Sequence, residues 1–471
     1  MKDFFSYQKY FLIGIKGVAM TSMAQLLIEA DKDVSGVDVK EDFVTKKILG
    51  NLDLEIGSNF DIDLPGNIDC VIYTAAHGGP NNPLVLKAQE NGVPVYSHAE
   101  ALGEFFNIKK GIAVCGVGGK SSTSAMIAHI FEKVEPQSFS VGVGNISGLD
   151  KTGSYLADST YFIAEADEYV TDPSASSKGV EITPRFIYLR PFITVCTNLE
   201  FDHPDVYRDF EHTKSVYKTF FNSINQEGAL VINGDDDNLV EVAEDVSIKK
   251  LTFGKKEDSD LRLVEYHAIE GEVGAKLLYQ SQDYLLRLTV PGLYNVYNAM
   301  AAILACLEAG IEIKDSLSAL ESFNSTMRRF EFIGEKNQVK YYDDYAHHPH
   351  EVSKVIKALS EWYPNNRKVI AFQSHTYSRT KQLFGDFIKS FDGADKLVMI
   401  DIFSSAREPF DDSVSSDSLC QEVNKIKPSL KAQNLGSIHN LANYFNSQLE
   451  PGDIVLTIGA GDIYQVHDLV E

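Results

Sequence analysis

The stretch Gly111-Ile112-Ala113-Val114-Cys115-Gly116-Val117-Gly118-Gly119-Lys120-Ser121-Ser122-Thr123 decides the fold. An apolar run stops at a cluster of glycines, a lysine and hydroxyls, and a second apolar-periodic run then continues to Phe131. That order spells a buried strand, a tight turn and a helix. Glycines let backbone N–H groups face phosphate oxygens, the helix N-terminus adds positive dipole, and lysine adds charge. A hydroxyl from Ser121 or Ser122 can hold Mg²⁺. Gly116, Gly118, Gly119, Lys120, Ser121 and Ser122 are therefore the candidate ATP-phosphate site. The spacing departs from the full GxxxxGK[ST] loop because the first glycine stands closer to the lysine.

Working outward, strand-like Tyr161–Ile163 leads into Glu165-Ala166-Asp167-Glu168. Strand-like Ile193–Cys196 leads into Thr197-Asn198-Leu199-Glu200-Phe201-Asp202-His203-Pro204-Asp205. In an open parallel sheet, ligands bind beyond the carboxyl ends of the strands. Lys120, Glu165 and His203 are thus expected at one crevice, where a carboxylate and an imidazole can hold a divalent ion beside phosphates. Residues 250–290 read as short antiparallel strands. Asn295 and Asn298 lie three apart on one helical face. They either read an adenine edge, or Asn295 caps the helix and Asn298 is exposed.

Upstream, Tyr10–Gly14, Val34–Val37, Cys70–Thr74 and Val93–Tyr96 are strand-like, and Val18–Ala30 is helix-like. Downstream, strands are expected at Val339–Tyr342, Lys368–Phe372, Lys396–Ile400 and Ile454–Ile458, with a helix at Leu383–Ser390. Alternating β and α elements imply parallel sheets flanked by helices. A length of 471 residues corresponds to about three domains. The expected bounds are 1–108, 109–326 and 327–471. The third region carries Arg328-Arg329-Phe330-Glu331, Asp343-Asp344-Tyr345-Ala346-His347-His348-Pro349 and Phe372-Gln373-Ser374-His375-Thr376-Tyr377-Ser378-Arg379-Thr380. Arg, His and hydroxyl groups at strand ends suit carboxylate and phosphate recognition.

Composition sets limits on partners. The formal net charge is −24, so the chain lacks the positive excess that nucleic acid or an anionic membrane requires. A small anion needs a locally positive site. The cysteines Cys70, Cys115, Cys196, Cys306 and Cys420 are scattered without a CxxC pair, which fits a reducing cytoplasm. No signal peptide is legible at the start and no run has the length of a membrane span.

Taken in order, the motifs GxxGK[ST][ST], EADE, TNxExDHPD, PGxxNxxNAxAA, RRFE, DDYAHHP, FQxHxYSRT, AREP (Ala406-Arg407-Glu408-Pro409) and GAGD (Gly459-Ala460-Gly461-Asp462) resemble the Mur ligase family. These are the ATP-dependent amide-forming enzymes that build the peptide stem of peptidoglycan. The resemblance covers nearly the whole chain. It implies an α/β fold of three domains. The first is Rossmann-like, the second a P-loop ATPase-like parallel sheet with a small antiparallel sheet, and the third Rossmann-like. Gly14-Ile15-Lys16-Gly17-Val18-Ala19-Met20 resembles the UDP-binding turn of members acting on UDP-N-acetylmuramate, and Thr74 and Ser97-His98-Ala99-Glu100 do so more loosely. Gly14, Lys16, Gly17, Val18, Asp38, Thr74 and His98 are accordingly the candidate UDP-sugar site.

The third-domain motifs are most similar to those of members that add L-alanine to UDP-N-acetylmuramate. EADEY, an extra stretch near Thr171–Pro184 and NLEFDH are closer to members that attach a whole L-Ala-γ-D-Glu-diamino acid tripeptide. The third domain supplies the amine contacts in this family, so L-alanine is the favoured amine. The chain departs from the family loop GTHGK at Val117 and Gly118, from the first turn at Lys16 and Ala19, and from an expected Arg at Thr376.

The resemblance implies a role for each site residue. Lys120 serves the β- and γ-phosphates, Ser121 or Ser122 one Mg²⁺, and Glu165 with His203 a second. Asn295 and Asn298 serve adenine. Arg329 and Asp344 act on the nucleotide, and His348, His375 and Arg379 on the amino acid. Lys218 lies one residue out of register with a lysine that some members carry carbamylated, and it is not assigned. The substrates implied are ATP, UDP-N-acetylmuramate and L-alanine. Competing readings are a nucleotide-gated, non-catalytic binding protein of the same fold, a folylpolyglutamate-type ligase and an NAD dehydrogenase. The last is weakest because Gly14-x-x-Gly17 is not a full GxGxxG.

Overall fold

The structure is a computed structural model that describes residues 3–41, 43–142, 146, 149, 151–172, 181–203, 206–404 and 410–470. Pro204, Asp205 and the Ala406–Pro409 motif lie outside the described residues. The chain forms two compact units. One comprises Met1–Glu265, Ala275–Leu286 and Val296–Phe323, and the other Tyr266–Gly274, Arg287–Asn295 and Asn324–Glu471.

The first unit holds two sheets. In the N-terminal one, β1 (Lys9–Ile13), β2 (Asp33–Val37), β3 (Glu55–Gly57), β4 (Cys70–Tyr73) and β5 (Val95–Ser97) take the order β3-β2-β1-β4-β5. All their pairings are parallel, so the order reverses at β1. That reversal opens a crevice at the carboxyl end of β1, where the turn Gly14–Gly17 leads into the helix Val18–Glu29.

The second sheet is built from β6 (Lys110–Cys115), β7 (Ser138–Ser140), β8 (Gly153–Ser154), β9 (Tyr161–Glu165), β10 (Pro191–Cys196), β11 (Ala229–Asn233) and β12 (Lys249–Gly254). Their order is β12-β11-β10-β6-β9-β7-β8. Strand β6 lies between β9 and β10, so the loops after those three strands open side by side. Strands β13 (Leu261–Ile269), β14 (Glu272–Tyr279) and β15 (Gln282–Leu288) follow. Lys249–Gly254 corrects the expectation of antiparallel strands throughout 250–290, since β12 is parallel to β11 and to the start of β13. The physical reason is the helix Asp237–Glu244 after β11, a crossover that returns the chain in the same direction.

The two sheets share one hydrophobic core. Phe105 and Phe106 from the helix His98–Asn107 pack with Phe162 and Phe186. The helix Val18–Glu29 docks by polar contacts as well. Gln25 Oε1 accepts from the N–H groups of Thr152 and Gly153, and Glu29 Oε2 accepts from Ser154 Oγ and the Tyr155 N–H. These bonds are long-range, so they fix the first sheet against the edge of the second.

The second unit is built on β16 (Glu331–Lys336), β17 (Val339–Asp344), β18 (Lys368–Phe372), β19 (Lys396–Met399), β20 (Gln433–Asn434) and β21 (Ile454–Ile458). The order is β16-β17-β21-β18-β19-β20, with only β16 antiparallel to its neighbour. Strands β18 and β21 are buried throughout, as expected of parallel strands covered on both faces. Among the described residues, no helix is long and apolar enough to cross a membrane.

Candidate active site

Gly116 and Gly119 hold φ of 121° and 86°, a region L side chains rarely adopt. A Cβ at Gly116 would meet Thr197 Oγ1 at 2.3 Å, and one at Gly119 would meet Asn298 Oδ1 at 2.5 Å. The loop is therefore pressed between the turn after β10 and the helix Leu293–Glu308. Its shape is held from the β10 side. The Gly118 N–H donates to Asn198 Oδ1 (3.0 Å), Asn198 Nδ2 donates to the Gly118 carbonyl (2.9 Å), and Thr197 Oγ1 donates to the same carbonyl (2.5 Å). The Leu199 N–H donates in turn to Asp236 Oδ2 at 2.7 Å, which ties that turn to β11.

Lys120 opens the helix Lys120–Val134. Its ammonium donates to the Gly116 carbonyl at 2.6 Å and to Glu168 Oε1 at 2.9 Å. Burial opposes its charge, but Glu168, Asp167 and Glu165 outweigh that and raise its pKa. Ser121 is buried beside it and Ser122 is half-buried. Glu165 ends β9 and accepts from the Gly142 N–H at 3.0 Å. His203, in left-handed conformation, lies 3.7 Å from carboxylate oxygens of Glu168 and of Asp202. Burial works against its charge, and those carboxylates raise its pKa. Asp167 meets Arg185 Nη1 at 2.5 Å. Burial would raise the Asp167 pKa, but Arg185 and Lys120 hold it at about 2. Among the described residues, no three His, Cys, Asp or Glu side chains form a metal-holding group.

Asn298 faces the loop at Gly119, whereas Asn295 Nδ2 donates to the Pro291 carbonyl at 2.8 Å. The helix begins at Leu293, so Asn295 is not its cap. Lys218 is on the surface, paired with Asp245 at 2.6 Å.

The N-terminal residues converge on the crevice at β1. A Cβ at Gly14 would meet Thr74 Cγ2 at 2.4 Å. The Lys16 N–H donates to Asp38 Oδ2 at 2.7 Å, and its ammonium donates to the carbonyls of Val39, Lys40 and Glu41. Gly17 caps the helix that Val18 begins. His98 starts the helix His98–Asn107 and is half-buried. Burial, with help from Arg185, lowers its pKa to about 4, and its Nε2 has no hydrogen-bond partner among the described residues.

In the second unit, Asp344 at the end of β17 accepts from the N–H groups of Phe330 (2.8 Å) and Ala346 (2.7 Å). Burial raises its pKa from 3.8 to about 6 against the pull of Arg329. The Arg329 guanidinium lies over the Tyr345 ring at 5.2 Å. His348 caps the helix Pro349–Trp362, its Nδ1 accepting from the His350 N–H at 3.4 Å. Arg379 Nη1 donates to His375 Nδ1 at 3.3 Å, and the His375 ring stacks on Phe403. The His347 ring is 6.3 Å from that of His375. Thr376 has φ of 69° and caps the helix Tyr377–Gln382 by accepting from the Arg379 N–H.

Family profiles match residues 9–110 ("Mur ligase family, catalytic domain"), 114–306 ("Mur ligase middle domain") and 328–461 ("Mur ligase, glutamate ligase domain"). The chain is 36% identical over 469 residues to a UDP-N-acetylmuramate–L-alanine ligase of Clostridium acetobutylicum, covering 98% of this chain and 97% of that one. The chain belongs to the Mur ligase family. A Clostridium tetani ligase of the same name is 35% identical over 474 residues, covering 99% of each chain. Among solved structures, the UDP-N-acetylmuramate-alanine ligase of Thermotoga maritima superposes with a TM-score of 0.80 at 23% identity, over 98% of both chains. A murein peptide ligase from Psychrobacter arcticus superposes at 0.72 and 21% identity, over 98% of this chain and 97% of that one.

Several residues of this Mur ligase gain a place in the site that spacing did not give them. Glu168 is the direct partner of Lys120. Thr197, Asn198 and Asp236 hold the loop. His77 lies 3.4 Å from Asp38. Arg328, beside the expected Arg329, pairs with buried Asp343 at 2.8 Å. The one available signal was repetition of spacing, since Arg328 precedes Asp343 by the same fifteen residues that separate Arg329 from Asp344.

Proposed function

We propose that this Mur ligase joins L-alanine to the lactyl carboxylate of UDP-N-acetylmuramate in peptidoglycan biosynthesis, consuming ATP and releasing ADP and phosphate. The observation that carries this is full-length similarity, 36% over 98% of the chain, to a relative named for that reaction. The compartment that suits ATP and a nucleotide-sugar substrate is the cytoplasm. The domain bounds 1–108, 109–326 and 327–471 assign the UDP-sugar, ATP and amino acid roles in that order.

A carboxylate is a poor electrophile and must be activated. One lactyl oxygen attacks the γ-phosphorus, the bond to ADP breaks, and an acyl phosphate forms. The alanine amine then attacks the acyl carbon, loses a proton, and expels phosphate together with that lactyl oxygen. Bringing two anions to 4 Å costs about 4 kcal/mol at an effective dielectric near 20. Lys120 offsets this by exchanging Glu168 and the Gly116 carbonyl for the β- and γ-phosphates. The loop N–H groups of Gly116 and Gly119 and the hydroxyls of Ser121 and Ser122 complete the phosphate cradle, with Gly118 shaping the loop through its N–H bond to Asn198.

Mg²⁺ prefers hard oxygen donors and uses one or two carboxylates plus phosphates rather than a protein cage. The Ser121 or Ser122 hydroxyl is a donor of that kind for one ion, and Glu165, with His203 adding a nitrogen, would hold a second. When bound, Mg²⁺ neutralises phosphoryl oxygens. Asn295 and Asn298 serve the adenine, Arg329 and Asp344 the nucleotide, and His348, His375 and Arg379 the alanine and the tetrahedral intermediate. Gly14, Lys16, Gly17, Val18, Asp38, Thr74 and His98 serve the UDP-sugar.

Phosphate release with ATP, Mg²⁺ and UDP-N-acetylmuramate tests this when L-alanine and the L-Ala-γ-D-Glu-diamino acid tripeptide are offered separately. Stimulation by L-alanine well above the tripeptide is expected. The reverse preference would assign the tripeptide reaction, and ATP binding without amine-dependent phosphate would mark a non-catalytic protein.

A further inference from the structure

A cavity of about 220 Å³ lies in the first unit, between the two sheets' strand ends. Val18 and His98 line it from the N-terminal sheet, and Glu165, Asp167 and Arg185 from the second. It therefore joins the candidate UDP-sugar crevice to the residues expected at the γ-phosphate. A substrate acid directed at the γ-phosphate meets two protein carboxylates here. Arg185 is the arginine or lysine among the described residues of the wall.

Arg185 is held from several sides. Val170 and Pro184 form an antiparallel bridge that folds the chain back on the end of β9. The Arg185 N–H donates to the Tyr169 carbonyl at 2.8 Å, and the Phe186 N–H donates to the Asp167 carbonyl at 3.1 Å. The Tyr169 ring lies 5.4 Å from the guanidinium carbon, and Nη1 donates to Asp167 Oδ2 at 2.5 Å. That bond uses one of five N–H donors in a planar fork that matches a carboxylate. With Asp167 orienting one end, the remaining edge is left to a second carboxylate. His98 Nε2, buried and without a hydrogen-bond partner among the described residues, offers a neutral polar atom in the same wall.

We propose that Arg185 is the specificity-determining cation that recognises the carboxylate of the acid substrate in this cavity, with Asp167 and Tyr169 as its positioning residues. The proposal rests on the acid substrate assigned above. It predicts that Arg185 distinguishes a UDP-sugar bearing a lactyl carboxylate from one lacking it.

The test is calorimetric titration of the full chain, with Mg²⁺ and a non-hydrolysable ATP analogue, using UDP-N-acetylmuramate and UDP-N-acetylglucosamine as the two ligands. Loss of a charged hydrogen bond is worth roughly a 10- to 100-fold change. Arg185→Met should weaken UDP-N-acetylmuramate by that factor and leave UDP-N-acetylglucosamine within about twofold. Arg185→Lys, which keeps charge without the fork, should fall between, and it carries the test if the Met variant does not fold. Equal weakening of both ligands, or of neither, would overturn the role of Arg185 while leaving the proposed function standing. A wild-type chain with no preference for the lactyl-bearing ligand would overturn the acid substrate itself, and this inference with it.

Discussion

Lys120 with Glu168 and Arg328 with Asp343 are both cation–carboxylate pairs taken out of water, with side-chain exposures of 13% and 3% for the first and 8% and 1% for the second. They differ in what else the cation does. The Arg328 fork is spent on protein. Nε donates to Asp343, Nη1 to the Gly461 carbonyl, Nη2 to the Gly459 carbonyl, and the plane lies against Tyr345 and Tyr464. Lys120 is a compact charge on a flexible stem, held by one carboxylate and loop carbonyls at the head of a glycine turn. One pair clamps the GAGD loop to β17, and the other, in the proposed function, gives its cation to a phosphate.

Breaking each pair should therefore damage different properties. Removing one partner of a buried pair strands the other charge, at about 3–5 kcal/mol. Arg328→Ala should show a loss of that size in urea unfolding of the second unit's transition, and an unchanged midpoint would refute the clamp. Lys120→Ala should lower amine-dependent phosphate release about 10²- to 10³-fold, as loss of a transition-state charge partner does. Turnover near wild type would remove Lys120 from the chemistry.

A smaller effect sharpens the contrast through pH. Burial raises the Asp344 pKa from 3.8 to about 6, so the native state binds the proton more tightly than the unfolded chain does. Its stabilising contribution is full below about pH 4 and is lost as pH rises through about 6, a span of about 3 kcal/mol. The difference in unfolding free energy between wild type and Asp344→Asn should shift by that amount across the window, in favour of the variant at the higher pH. A flat difference would show that Asp344 is not held in an apolar setting.

Much of this architecture was legible in the sequence, and the limits have physical causes. Strands β1, β4, β6, β18 and β21 are apolar runs ended by glycine or polar turns, and they are found within a residue or two of their expected places. Strand β16 was not expected because Glu331–Lys336 is mostly exposed and shows no clean alternation. The helix Pro349–Trp362 fills the expected helical place between β17 and β18, and it begins inside the DDYAHHP stretch. Its proline at the first position and its capping pair His348 and Glu351 are start signals in their own right. The phosphate loop was readable because every device in it is local. The Lys120–Glu168 pair was not, because it joins residues 48 apart that meet only once β6 and β9 are neighbours. Arg185 was hidden for the same reason, since the fold-back at Val170 and Pro184 brings it to Asp167.

The proposed function requires that the site activates an acid by phosphorylating it. UDP-N-acetylmuramate carrying ¹⁸O in its lactyl carboxylate, turned over with ATP, Mg²⁺ and L-alanine, tests that directly. Mass analysis of the released phosphate should find one ¹⁸O transferred per turnover, because the lactyl oxygen leaves with phosphorus when the amide forms. Unlabelled phosphate would mean that water, not the carboxylate, attacks ATP, and would contradict the account.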